Sequence, residues 1–205
     1  MRIYSDYLLP VLINKVCGDT IFTQQRQKIV PEARGNVLEI GVGTGHNLSF
    51  YDSSRVISLT AIDPHIATWQ QCSIDTALLP YEFEFLVASE ESLPFADATF
   101  DTIVSTYTLC TIPDVRRALS EIHRVLKPSG RLLFSEHGKA PERHIQWVQN
   151  VVNPVWKCFS GGCNLNRDIE QLVSDSQFEI LELEKSYKSG FRTGSYNFLG
   201  IASKI

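Results

Sequence analysis

Short apolar runs alternate with longer amphipathic stretches over the first two thirds of the chain. Val37–Ile40, Val56–Ile62, Glu82–Val87, Phe100–Ser105 and Arg131–Glu136 each read as a strand. Between them, Ile66–Leu78 reads as a helix. Val115, Leu119, Ile122 and Leu126 share one face of another helix, opened by Pro113-Asp114 and running through Val125-Leu126. Lys127-Pro128-Ser129-Gly130 is a turn into the fifth strand. This alternation predicts an α/β domain built on a parallel sheet. A last helix over Ile169–Asp175 and two strands, Phe178–Lys185 and Ser195–Ala202, predict an antiparallel closing pair.

Two segments fall outside that rhythm. In residues 1–35, Tyr7, Leu8, Val11, Leu12 and Val16, then Ile21, Phe22 and Ile29, recur at helical spacing. They predict two helices broken near Gly18-Asp19 that cover one edge of the sheet, with Arg26 and Lys28 as surface charges. In residues 138–165, Ile145, Trp147, Val148, Val151, Val152, Val155 and Trp156 surround Pro154, which predicts two short helices ending at Phe159–Cys163. An insertion after a fifth strand lies over the substrate side of such a sheet, so these apolar residues are expected to close over a small, largely hydrophobic ligand. Repeats, low-complexity tracts and linkers are absent, and 205 residues suit one domain.

Val37-Leu38-Glu39-Ile40-Gly41-Val42-Gly43-Thr44-Gly45-His46-Asn47 carries the first chemical signal. A buried strand ends in three alternate glycines, and His46 onward can begin a helix, the entry of a nucleotide-binding domain. A dinucleotide fingerprint needs Gly or Ala where His46 stands, and a Walker loop needs Gly-Lys-Ser/Thr, which is missing. Asp63 closes the second strand before Pro64 and His65. A carboxylate there can accept both hydroxyls of a ribose, while His65 reads as a helix-entry surface residue.

Glu39-x-Gly41-x-Gly43-x-Gly45, Asp63, Leu93-Pro94-Phe95, Phe100-Asp101 and Arg124-Val125-Leu126-Lys127-Pro128-x-Gly130 occur in order over residues 37–136. Together they resemble class I S-adenosylmethionine (SAM) methyltransferases of the type 11 group. "S-E-H-G" and "G-G-C-N-L-N-R" in the carboxyl third resemble the methyltransferase-like seven proteins and their bacterial relatives, a group linked to methylation of small thiols. The resemblance implies a Rossmann-like, seven-stranded, mostly parallel sheet with helices on both faces. It also implies SAM as cofactor, held by Glu39, Gly41, Gly43, Gly45, Asn47, Asp63, Pro64, Ser89, Glu90 and Ser105. Ser89 stands where the family usually has an acid, so adenine would rest on the Glu90 backbone N–H and the Ser89 hydroxyl. The implied reaction is an SN2 transfer of a methyl group to a small acceptor, a thiol, amine or phenol. His137, just beyond the fifth strand, is the candidate base, and Tyr107 a candidate pocket residue.

Composition narrows the alternatives. The net charge is −4 and no block of Lys or Arg occurs, which argues against nucleic acid as a partner. No apolar run approaches the roughly 18 residues of a membrane span. The five cysteines, Cys17, Cys72, Cys110, Cys158 and Cys163, are scattered without a C-x-x-C pair. They read as reduced thiols of a cytoplasmic protein, not as a zinc site or disulfide frame. Cys110 and Cys163 read as core cysteines and Arg167 as a helix-cap residue. Two other functions share the fold: a non-catalytic SAM-binding scaffold, and a nicotinamide oxidoreductase, which His46 disfavours.

Overall fold

The computed structural model describes residues 19–205. Seven strands form one sheet: β1 (Gly35–Ile40), β2 (Val56–Ile62), β3 (Glu82–Leu86), β4 (Phe100–Thr106), β5 (Leu126–His137), β6 (Phe178–Tyr187) and β7 (Tyr196–Lys204). Their order is β3-β2-β1-β4-β5-β7-β6. β1 to β5 pair in parallel, and β7 runs antiparallel to both β5 and β6. The helices are α1 (Thr20–Ile29), α2 (Ile66–Trp69), α3 (Val115–Val125), α4 (Arg143–Phe159) and α5 (Ile169–Asp175). The first helix expected in the amino-terminal stretch, with Tyr7 to Val16, lies outside the described residues.

The apolar runs of the central strands are explained by burial on both faces. Leu38, Ile40, Ile103, Leu132 and Phe134 pack with Leu119 and Ile122 of α3 and Ile169 of α5 in one core. Their neighbours Val37, Val104 and Leu133 point the other way, into a second core with Ile29, Leu48, Tyr51 and Leu59. Capping sets two helix starts. The Asp114 side chain accepts from the Arg117 N–H at 3.1 Å, and Asp168 from the Gln171 N–H at 3.3 Å. The α5 cap is therefore Asp168, not Arg167.

Several expectations change. Residues after Gly43 form consecutive turns through Phe50 instead of a helix. The helix expected over 66–78 shrinks to α2 and a single 3-10 turn at Thr76–Leu78, where the Asp75 carboxylate bonds the Ala77 N–H and holds a turn instead. The Trp69 ring, 4.5 Å from Phe85 in a stacked pair, is what fastens this segment to β3. Lys127–Gly130 is absorbed into β5 as an irregularity, a step of two positions along β4 (Phe100 to Thr102) facing a step of five along β5 (Leu126 to Arg131). α1 lies across β5 and β7 and not along an edge. Arg26 is only 4% exposed on that helix, while Lys28 remains at the surface with Glu184 at 3.0 Å.

α4 differs most. It is one 17-residue helix that continues through Pro154, and its polarity is inverted. Ile145, Gln149 and Asn153, four residues apart, face inward, whereas Trp147, Val151, Val155 and Phe159 are 67, 58, 62 and 66% exposed. The inward amides satisfy irregular backbone. Gln149 Oε1 accepts from Ala140 N–H at 3.0 Å, and its Nε2 reaches the carbonyls of Gly138, Leu165 and Thr193 at 3.1, 2.9 and 2.9 Å. Asn153 Oδ1 accepts from Leu165 N–H at 2.8 Å. Of the apolar residues expected to roof a ligand, Trp147, Val151, Val152, Val155 and Phe159 thus lie on the outer face, while Ile145 is buried and Trp156 is half-buried against Cys163. Among the described residues, no helix is long and apolar enough to cross a membrane. Gln149→Leu keeps the volume but strands these buried groups at roughly 1–3 kcal/mol each. It is expected to lower Tm by about 10 °C in a thermal melt; an unchanged Tm would remove Gln149 as the anchor of α4.

Candidate active site

Strand order reverses between β1 and β4, and a cleft of about 290 Å³ opens at their carboxyl ends. Its floor is the glycine turn. Gly41, at φ +66°, fits under Thr108, whose side chain would stand 2.3 Å from an added Cβ. Gly43, at φ +57°, has nothing nearer than 4.0 Å to such a Cβ, so it borders the open space itself. Gly45 packs against Cys72 and Leu48 and does not line the cleft.

Three carboxylates converge on this space. Glu39, at the end of β1, accepts from Asn47 Nδ2 at 2.9 Å and from the Tyr51 hydroxyl at 2.7 Å. Asn47 also donates to Thr106 Oγ1 at 3.0 Å, joining β1 to β4. Asp63 accepts from the N–H groups of Gly43 at 3.0 Å and His65 at 2.8 Å, so the second strand end holds the glycine turn in place. Glu90 comes from the segment after β3. All three are buried yet line the cleft. Burial pushes Glu39 and Glu90 up to about 7, and burial also raises Asp63.

The facing wall follows β4. Tyr107 adopts φ +56°, and its ring meets Phe22 edge-on at 4.7 Å with the Arg26 guanidinium 5.3 Å from its centroid. Glu136 holds this loop from within the core. It accepts from Ser105 Oγ at 2.9 Å and from the N–H groups of Thr108, Leu109 and Cys110 at 2.9, 3.0 and 3.4 Å. Ser105 is thereby turned away from the cleft. Arg167 donates to the carbonyls of Leu109 and Ile112, the latter at 2.5 Å.

Of the residues named from sequence, Glu39, Gly41, Gly43, Asn47, Asp63, Pro64, Glu90 and Tyr107 meet around one cleft. Gly45, Ser89, Ser105 and His137 do not line it. Ser89 is exposed, its hydroxyl accepting from the Glu91 N–H at 3.2 Å. His137 Nε2 lies 2.9 Å from Cys163 Sγ, to which Trp156 Nε1 donates at 3.4 Å. The Cys110 thiol beside it, and then His137, hold Cys163 below the usual thiol range. Arg26 and the Gly161-Gly162 pair were not anticipated at the cleft. Arg26 was legible: with Phe22 and Ile29 it falls at i, i+4 and i+7, on the apolar face of α1. Gly161-Gly162 carried no comparable signal.

These groups fit SAM, which joins two cationic centres to a ribose: buried acids face a space that a side chain at Gly43 would enter. Comparison with known proteins agrees. A methyltransferase-domain family matches residues 38–134. The chain is 35% identical over 152 residues to the thiol S-methyltransferase TMT1B of Rattus norvegicus, covering 72% of this chain and 62% of that protein. It thus spans less than two thirds of that relative's length. It is 30% identical over 176 residues to the ubiquinone/menaquinone biosynthesis C-methyltransferase UbiE of Rickettsia bellii, covering 78% of this chain and 71% of the relative. A SAM-dependent methyltransferase of Methanosarcina mazei superposes with a TM-score of 0.66 at 26% identity, over 85% of this chain and 94% of that one. With sheet, glycine turn and acids in agreement, the chain belongs to the class I SAM-dependent methyltransferases.

Proposed function

We propose that this chain methylates the sulfur of a small thiol, and that Glu39, Asp63 and Glu90 hold the cofactor. The convergence of these three acids on a glycine-floored cleft carries the cofactor assignment; similarity to thiol S-methyltransferases supports the acceptor. When bound, SAM supplies a methyl group on an already activated sulfonium. The chain's own task is therefore alignment and exclusion of water, which can lower a barrier by roughly 7–11 kcal/mol.

The roles follow from position. Asp63, with one lone pair of each oxygen already used, offers the others to ribose hydroxyls. Glu39, fixed by Asn47 and Tyr51, faces an ammonium group. Arg26, which lines the same cleft beside Tyr107, suits a carboxylate. Glu90 borders the adenine end, and Tyr107 contacts the acceptor. His137 does not border the cleft and is engaged with Cys163, so the acceptor thiol yields its proton to water and reacts as thiolate.

Asp63→Ala is expected to weaken SAM binding by roughly 2–4 kcal/mol in calorimetry. Undiminished affinity in a folded variant would take Asp63 out of the site. Cofactor affinity should also depend on pH. Glu39 and Glu90 ionise near 7, so binding of a cationic ligand should tighten about tenfold per carboxylate between pH 6 and 8. Glu39→Gln, measured alongside, should flatten that rise; an equally steep profile would exclude Glu39 as its source. The apo protein behaves oppositely. A carboxylate raised from 4.5 to about 7 contributes stability that is complete below pH 4.5 and lost as pH climbs through 7.

The acceptor is tested by a screen of small thiols, amines and phenols with methyl-labelled SAM. For a thiol, kcat/KM at saturating cofactor should climb toward the thiol's own pKa, near 8.5 for a cysteine-like group. Label found only on carbon or nitrogen would overturn the thiol assignment and leave the cofactor site standing.

A further inference from the structure

Behind the cleft wall, three segments far apart in sequence bring Cys110, His137 and Cys163 to one point. Cys110 lies in the loop after β4, His137 ends β5, and Cys163 follows α4. Their sulfur and imidazole nitrogen atoms all lie within 4.8 Å of one another. Both cysteines are buried. We infer that this trio is a metal site whose ion is zinc.

The donor set selects the ion. Two sulfurs and an imidazole suit zinc, whereas magnesium and calcium require oxygen. Three protein ligands leave one position of a tetrahedron for water or an incoming thiol. Zn–S near 2.3 Å and Zn–N near 2.0–2.1 Å place tetrahedral ligand atoms roughly 3.5–3.8 Å apart. The His137–Cys163 edge is 2.9 Å and every edge is within 4.8 Å, so shifts of about an ångström through side-chain torsions seat the ion.

The surroundings hold these ligands in place. Asn164 N–H and Nδ2 both donate to the Cys110 carbonyl at 2.9 Å, tying the two cysteine loops directly to each other. Arg167 braces the Cys110 loop on either side, at Leu109 and Ile112. Trp156 Nε1 donates to Cys163 Sγ, the kind of outer contact that orients a thiolate ligand. His137 Nδ1 is buried without a hydrogen-bond partner among the described residues, so the ring's polar anchor is the sulfur side alone. Two buried cysteines are ordinary core. An imidazole and an indole N–H aimed at one of those sulfurs are not. Thr111, Ile112, Gly161 and Gly162, adjacent in the chain to the two cysteines, line the cleft. An ion here would therefore clasp both sides of its rim.

The inference does not depend on the methyltransferase reading. The full chain, stripped with a chelator, is titrated with Zn²⁺ and with Co²⁺ as a spectroscopic probe. Uptake of about one ion per chain at submicromolar affinity, with thiolate-to-cobalt charge-transfer absorption, is the expected result. Cys110→Ser and Cys163→Ser should each weaken uptake at least 100-fold, while Cys158→Ser, at an exposed cysteine, should retain it. SAM calorimetry on the same samples reports separately on the cofactor site. If the folded wild-type chain takes up neither ion, or if uptake survives the Cys110→Ser/Cys163→Ser double variant, the zinc site is excluded. The wild-type titration stands even where a variant fails to fold.

Discussion

Glu136 is a carboxylate with no contact with water, near the carboxyl end of β5, and the loop that walls the cleft follows from how it is satisfied. An ion so placed is tolerable only if donors surround it. Here they are Ser105 Oγ and three successive N–H groups, those of Thr108, Leu109 and Cys110. To present those N–H groups inward the chain must turn sharply after β4, which it does by placing Tyr107 in the left-handed region. That turn sets Thr108 over Gly41 and aims Cys110 at Cys163. One buried charge thus shapes the cofactor cleft and the cysteine cluster together. Burial raises its proton affinity and the hydrogen bonds oppose that rise, so loop geometry and ionisation are linked.

The acids of the cleft are under a different constraint. Glu39, Asp63 and Glu90 have neutral donors or none, and among the described residues Arg26 is the one Lys or Arg that lines their cleft. Burial without full compensation leaves them with raised proton affinity. A cationic ligand relieves the shortfall, which is a physical reason for the fold to keep carboxylates where hydrophobic residues would be more stable.

The sheet was legible because strands buried on both faces leave unmistakable apolar runs, and Val56–Ile62 agrees to the residue. The glycine turn and Asp63 were legible because their chemistry is local: φ > 0 and a carboxylate at a strand end. What failed depends on contacts that periodicity does not encode, one local and the others distant in sequence. Ile66–Leu78 has the composition of a helix, but Asp75 bonds a neighbouring N–H and Trp69 stacks on β3. Arg26 looked like a surface charge until its register with Phe22 and Ile29 was set against the Tyr107 ring. The cysteine cluster is invisible to spacing, because His137 lies 27 positions after Cys110 and Cys163 another 26 after His137.

The inverted helix α4 has a consequence for how this region can change over evolutionary time. A helix seated on an oily face tolerates small rotations and slides, since one methyl group substitutes for another at modest cost. α4 is seated through Gln149 and Asn153, whose amides match particular carbonyl and N–H groups on three separate stretches of backbone. Such a match is right in one register and wrong in all others. A single residue inserted within α4 between Gln149 and Asn153 would rotate one amide about 100° relative to the other and away from its partners. The outward Trp and Val positions, bound by no such match, are free to drift. Variation in descendants of this sequence should therefore be rich in substitutions on the apolar outer stripe and poor in length changes beneath it.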